Sequence, residues 1–166
     1  MDADGRGRVE LYFLRHADAG DPYAWDGPDE DRPLSHKGER QAERVGKLLR
    51  GMDDGPDAVI SSPKLRAFQT ARIVASEIGM EVVISDRLGD GIDVGSLGDL
   101  LDEAGSPSRP LLVGHDPDFT ATVSALVDAQ VVVRKAALVR IDAGLPLRPG
   151  GGELRWLVPP DALKSR

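Results

Sequence analysis

Two histidines and two arginines carry most of the chemistry this chain offers. Arg15-His16 follows the short apolar run Val9-Glu10-Leu11-Tyr12-Phe13-Leu14, and His115-Asp116 follows the run Pro110-Leu111-Leu112-Val113-Gly114. Lys64 and Arg66 come just after a third run, Asp57-Ala58-Val59-Ile60-Ser61. Guanidinium groups present planar forks of donors that match phosphate oxygens. A neutral imidazole, with an unperturbed pKa of about 6.5, is a nucleophile toward phosphorus near neutral pH. Brought together, these side chains make a cationic pocket for a phosphoryl group. One imidazole would take the group covalently, while the other and the two arginines stabilise charge on its equatorial oxygens. That scheme requires no metal ion or other cofactor, and none is expected. A zinc site on His16, His115 and an Asp is the metal alternative, and the fixed positive charge of the adjacent arginines works against it.

The pocket exists only if the surrounding elements bring these residues to one place. The three short runs read as strands. Between them, Gly20 to Pro33 is rich in Asp, Pro and Gly and reads as a loop. Ser35 is a helix N-cap, followed by Ala42, Val45, Leu48, Leu49 and Met52 at helical spacing. Ser62-Pro63 opens a second helix, with Pro63 in its first turn and Leu65, Phe68, Ala71, Val74, Ala75 and Ile78 as its apolar stripe. Gly79 suits the C′ position. Glu81 to Ile84 reads as a strand, Asp86 to Gly95 as a loop and Leu97 to Ala104 as a short helix. Asp118 to Val127 is helical, and Ala137–Asp142 and Glu153–Val158 are two final strands. This alternation implies an α/β fold, a three-layer α/β/α arrangement with a mostly parallel central sheet. In such a sheet the carboxyl ends of parallel strands face one crevice, where ligands bind. Residues 1–8, polar and Gly-rich, read as a flexible arm ahead of one domain over 9–163.

Composition limits the partners. The chain has 166 residues, 40% hydrophobic and 30% charged, enough apolar material for one core of ordinary size. Lys+Arg 21 against Asp+Glu 28 leaves a net charge of −7, which argues against non-specific binding of nucleic acid or an anionic membrane. With Cys 0, disulfides, thiolate nucleophiles and cysteine-based metal sites are excluded. No apolar run approaches the roughly 20 residues of a membrane helix, no signal peptide opens the chain, and a cytoplasmic location is the expectation.

Leu14-Arg15-His16-Ala17 resembles the Arg-His-Gly signature of the histidine phosphatase superfamily, whose fold is that of phosphoglycerate mutase. Ser61-Ser62-Pro63-Lys64-Leu65-Arg66-Ala67-Phe68-Gln69-Thr70-Ala71 is similar to its Ser-Pro-x-x-Arg-Ala-x-Gln-Thr segment, and Val113-Gly114-His115 to its second histidine site. Arg32-Pro33-Leu34-Ser35-His36-Lys37-Gly38 resembles the stretch before its first helix. Small size, the Arg-His-Ala-Asp-Ala opening and the closing segment Trp156 to Leu163 look most like the SixA-type phosphohistidine phosphatases. The resemblance implies that His16 accepts the phosphoryl group and that Arg15, Arg66 and His115 bind its oxygens. Ala17 departs from the usual Gly. The proton donor stays open among Asp116, Asp90 and Asp18, with Asp116 slightly favoured. A phosphohistidine leaving group is a nitrogen and demands less of an acid than an alkoxide does. The substrate implied is phosphohistidine carried on a protein, with a small phosphate ester (a sugar phosphate or nucleotide) as the alternative. A catalytically silent phosphate-binding module is the reading from another class.

Each residue also has a plainer role: Arg15-His16 as a solvated strand end, Arg66 paired with Asp57 or Asp86, His115 as a satisfied core histidine. Their joint occurrence in family order is what favours chemistry. His36 is read as exposed and outside the site, Trp156 as core, and Tyr23 and Trp25 as possible pocket lining or local packing.

Overall fold

The computed structural model describes residues 7–165. Six strands form one sheet: β1 (Arg8–Arg15), β2 (Ala58–Ser61), β3 (Val82–Ile84), β4 (Pro110–Gly114), β5 (Leu138–Gly144) and β6 (Gly152–Val158), in the order β3-β2-β4-β1-β5-β6. The pairs β2·β3, β2·β4 and β1·β4 are parallel, and β1·β5 and β5·β6 are antiparallel. Four helices connect the strands: α1 (His36–Arg50), α2 (Leu65–Ile78), α3 (Val94–Glu103) and α4 (Asp118–Val127).

The middle strands read as unbroken apolar runs because both of their faces are buried. Along β1, Leu11 and Phe13 face a cluster built from α3 and α4, including Leu97, Leu100, Phe119 and Val123. Tyr12 and Leu14 face the opposite cluster, built from Val45 and Leu49 of α1 and Ala67, Ala71, Val74 and Ala75 of α2. The period-2 alternation of a strand thus distributes one run of residues between two helical layers. Phe119 meets Phe13 edge-on, with ring centroids 5.3 Å apart. Trp156, expected in the core, is half-buried and stacks edge-on against Tyr12 at 5.9 Å.

The expected elements form, with adjustments at element ends and within loops. β1 begins at Arg8, so the expected arm ends sooner; its residues 1–6 lie outside the described residues. The loop Gly20 to Pro33 contains two short 3-10 turns, Pro22–Ala24 and Asp29–Asp31. α3 starts at Val94, inside the stretch expected to be loop, because Asp93 caps it: the Asp93 side chain accepts from Ser96 N and the Ser96 hydroxyl accepts from Asp93 N. Pro63 precedes the cap residue Lys64 and so sits outside the first turn of α2. The cap of α1 is Ser35, which accepts from Gly38 N at 3.1 Å, and Gly79 closes α2 in the left-handed region at φ 71°.

Candidate active site

The site follows from strand register. β4 lies between β1 and β2, with Arg15 opposite Gly114 and Ser61 opposite Val113. The ladder continues one residue beyond both neighbours: His16 N donates to Gly114 O and Ser62 N to Val113 O, each at 2.9 Å. His16, His115 and Ser62 therefore leave the sheet side by side at its carboxyl edge, as adjacent strands separated by about 4.8 Å require. The rings of His16 and His115 stand 5.2 Å apart, centroid to centroid. Gly114 permits this packing, because a Cβ there would come within 2.6 Å of the Phe119 ring.

His16 is 5% exposed and His115 6%. The Nδ1 of His16 lies 2.8 Å from the Ala17 carbonyl oxygen. A carbonyl can only accept, so Nδ1 carries the proton, and the Nε2 lone pair of the neutral ring is free. The Nε2 of His115 lies 2.7 Å from the Ser62 hydroxyl. Arg66, on the first turn of α2, gives NH1 to the Asp29 carbonyl at 2.8 Å and NH2 to the Asp29 carboxylate at 3.0 Å. Arg15 gives NH1 to the Val133 carbonyl at 3.1 Å and to Asp116 Oδ2 at 3.4 Å. Among the described residues, the buried side-chain nitrogens and oxygens with no hydrogen-bond partner are Arg15 Nε, Arg66 Nε and His115 Nδ1. All three belong to residues expected to hold a phosphoryl group.

The model of the histidine phosphatase superfamily (branch 1) matches residues 11–115, a span that contains His16, Arg66 and His115. The chain belongs to this superfamily. An uncharacterized protein of Picosynechococcus sp. is 35% identical over 148 residues, covering 82% of this chain and 86% of that one. A structure of the protein histidine phosphatase SixA complexed with tungstate superposes with a TM-score of 0.79 at 23% identity, over 94% of this chain and 100% of that one. A candidate phosphohistidine phosphatase SixA from Nakamurella multipartitia superposes with a TM-score of 0.77 at 28% identity, over 93% and 97%. The architecture is the phosphoglycerate mutase-like fold in its SixA-type form, and membership of the superfamily supports phosphatase activity.

The three candidate proton donors have separate surroundings. Asp116 accepts from Thr120 N at 2.9 Å through Oδ1, and from Thr120 Oγ1 at 2.7 Å and Arg15 through Oδ2. It therefore ties Arg15 to the start of α4. Asp18 accepts from Ser35 Oγ at 2.6 Å and Gly20 N at 3.3 Å and pairs with Lys135 at 3.7 Å. Burial pushes the Asp18 carboxyl up, but the Ser35 and Gly20 bonds and the Lys135 charge prevail and hold it below the usual range. Its main chain is held as closely, since a Cβ at Gly38 would overlap the Asp18 carbonyl oxygen. Asp90 is 89% exposed at the side chain and pairs with Lys64 at 3.0 Å. Of the three, Asp116 alone bonds a cationic residue of the phosphoryl-binding set.

Several residues without an expected role hold this geometry. Asp29 takes Arg66, in place of the expected Asp57 or Asp86, and binds Arg32 at 3.2 Å; Arg32 in turn reaches the Ala19 carbonyl at 2.7 Å. Thr70 accepts from Ala17 N at 3.1 Å and donates to the Arg66 carbonyl at 2.7 Å, joining the two halves of the site. Gln41 accepts from Asp18 N and Gln69 from Leu34 N. The signal for Ser62, Gln69 and Thr70 was their place inside the Ser-Pro-x-x-Arg-Ala-x-Gln-Thr stretch. Nothing local marks Asp29. Tyr23 is 97% exposed, and the Trp25 indole donates to the Pro28 carbonyl within its own loop. His36 is exposed, as expected. Among the described residues no three His, Asp or Glu side chains gather into a metal-binding group, and no helix is long and apolar enough to cross a membrane.

Both site imidazoles stay neutral far into acid. Burial first, then the charges of His115, Arg66 and Arg15, lower His16 to about 3, against the opposing effect of the Ala17 carbonyl. Burial, Arg66 and Lys64 lower His115 to about 3, against Asp90 and Asp29. In the unfolded chain each ring titrates near 6.5. Between about 6.5 and about 3 the unfolded chain therefore binds more protons than the folded one, and stability falls as pH drops through that window. The thermal midpoint is expected to decrease from pH 7 to pH 5, and less steeply in the double variant His16→Gln/His115→Gln. Equal slopes would mean that other groups carry the dependence.

Proposed function

We propose that this chain is a metal-independent phosphatase that works through a phosphohistidine on His16, and that its substrate is phosphohistidine borne by a protein. The observation that carries this reading is the set of three buried, unpartnered nitrogens, Arg15 Nε, Arg66 Nε and His115 Nδ1, beside a neutral imidazole. Buried donors without acceptors are costly, and a tetrahedral oxoanion supplies several acceptors at once. In the first step the His16 Nε2 lone pair attacks phosphorus and a P–N bond to the enzyme forms; the P–N bond to the substrate imidazole breaks, its electron pair returns to that nitrogen, and a substrate ring already protonated on its other nitrogen leaves as neutral imidazole. In the second, water attacks the phosphorus, the P–N bond to His16 breaks with its electron pair returning to Nε2, and the protons of the water stay on the oxygens of the departing dihydrogen phosphate. Two guanidiniums provide the positive charge that metal ions provide in other phosphoryl-transfer sites, and the neutral His115 ring adds a hydrogen-bonding group beside them.

A protein substrate is favoured by the shortness of two connections beside the site. The connections after β2 and β4 comprise only residues 62–64 and 115–117, so a phosphorylated side chain on another molecule's surface can approach from that side. The likeness to the candidate phosphohistidine phosphatase of Nakamurella multipartitia points the same way. The test is a panel of a histidine-phosphorylated protein, sugar phosphates, nucleotides and 3-phosphoglycerate, with and without EDTA. The expected result is the highest kcat/KM on phosphohistidine, no effect of EDTA, and an acid-labile phosphoryl group trapped on His16 by alkaline quenching. A large preference for an ester would replace the substrate and leave the phosphohistidine mechanism standing.

A further inference from the structure

We propose that Ser62 is a positioning residue that sets the tautomer of His115, so that His115 meets a phosphoryl oxygen as an N–H donor through Nδ1. The inference rests on the phosphatase reading for its purpose, but its geometry stands without it.

Ser62 is 0% exposed. Its hydroxyl oxygen accepts from Lys64 N at 3.2 Å and lies 2.7 Å from His115 Nε2. A hydroxyl has one hydrogen to give, and among the hydrogen bonds of the described residues the partner able to accept it is that ring nitrogen. With Ser62 donating, Nε2 is an acceptor and the single proton of the neutral ring resides on Nδ1. The opposite assignment, Nε2–H donating to Ser62, leaves the serine hydrogen buried without an acceptor. A buried hydroxyl hydrogen without an acceptor is costly. His115 Nδ1 is one of the three unpartnered buried atoms of the site, and the other two, on Arg15 and Arg66, are donors. A third donor suits an oxoanion, whereas a lone pair would repel it.

The two histidines then share one tautomer and present opposite ends. His16 has Nδ1–H tied to the Ala17 carbonyl and offers the Nε2 lone pair, a nucleophile. His115 has Nε2 tied to Ser62 and offers Nδ1–H, a donor. Swapping either tether would place two lone pairs, or two N–H groups, against the phosphoryl group. The short connection 62–64 thus joins Ser62 to Arg66 on the following turn, so one segment sets the phosphate-facing geometry of both His115 and the second arginine.

The test is long-range proton–nitrogen correlation NMR on the protein labelled with nitrogen-15. The chain has His 3, so assignment needs only the variants His36→Gln and His115→Gln. In the unmodified protein at pH 7, His115 is expected to show a protonated Nδ1 and a bare Nε2. A protonated Nε2 would overturn the proposal whatever the activity. In Ser62→Ala the His115 signals should shift toward a mixture of tautomers. The inhibition constants of vanadate and inorganic phosphate should rise about tenfold, as loss of one well-placed hydrogen bond implies. Ser62→Thr, which keeps a hydroxyl, should restore both. An unchanged tautomer and unchanged vanadate inhibition in a folded Ser62→Ala protein would also overturn it. Because the tautomer is read without turnover, a protein inactive on every phosphate tested, yet with the expected His115 signals, would remove the phosphatase reading and leave the role of Ser62 intact.

Discussion

His16→Ala is expected to lower kcat by ~10⁴-fold or more, the effect of deleting the proposed nucleophile. The Kd for inorganic phosphate should change far less, because Arg15, Arg66 and His115 keep their own supports: the Val133 carbonyl and Asp116 for Arg15, Asp29 for Arg66 and Ser62 for His115. That contrast is diagnostic, since a residue acting through binding would raise KM and spare kcat. Folding should survive, because the side chain of His16 makes a single hydrogen bond, to the neighbouring Ala17 carbonyl, and its removal relieves the burial of an ionisable ring. The measurement is single-turnover kinetics with alkaline quenching: no phosphoenzyme should form. A variant that keeps more than a tenth of the original rate, freed of contaminating phosphatase by repurification, would end the nucleophile assignment.

Arg66→Ala is expected to lower kcat/KM by ~10²–10³-fold, the usual effect of removing one preorganised donor from a developing negative charge. Vanadate inhibition should weaken in parallel, because a pentavalent oxoanion draws on the same donors. Arg66→Lys should recover little. The guanidinium uses two nitrogens to hold Asp29 and keeps a third, Nε, buried without a partner, and an ammonium group cannot do both. Part of the loss would come from the loop 19–32, whose Arg32 and Asp29 are organised around Arg66. Asp29→Asn separates the two contributions: it keeps the carbonyl contact and weakens the ion pair. A fall in kcat/KM well short of that in Arg66→Ala would assign most of the effect to the guanidinium itself.

The features legible in the chain are those that depend on neighbours a few residues away. Val9 to Leu14 reads as a strand because the run is short, rich in β-formers and apolar at every residue but Glu10, and Ala42, Val45 and Leu49 read as one helical face by their spacing. Ser35 and Gly79 mark helix ends through side-chain capping and permitted φ, both local properties. The pattern Arg-His, Ser-Pro-x-x-Arg and Gly-His in that order was enough to expect Arg15, His16 and His115 at strand ends and Arg66 on the helix that follows a third strand. The remaining features required coordinates, because a hydrogen bond is decided by separations of a few tenths of an ångström between residues remote in sequence. Asp18, Asp90 and Asp116 are chemically alike on paper; folding gives them to Ser35, Lys64 and Arg15 respectively. Asp29 meets Arg66 across 37 positions and Ser62 meets His115 across 53, with no periodicity to announce either pair. Which nitrogen of each histidine is tethered follows from those partners, so the chain specifies that imidazoles are present and the packed fold specifies which atom of each one is held.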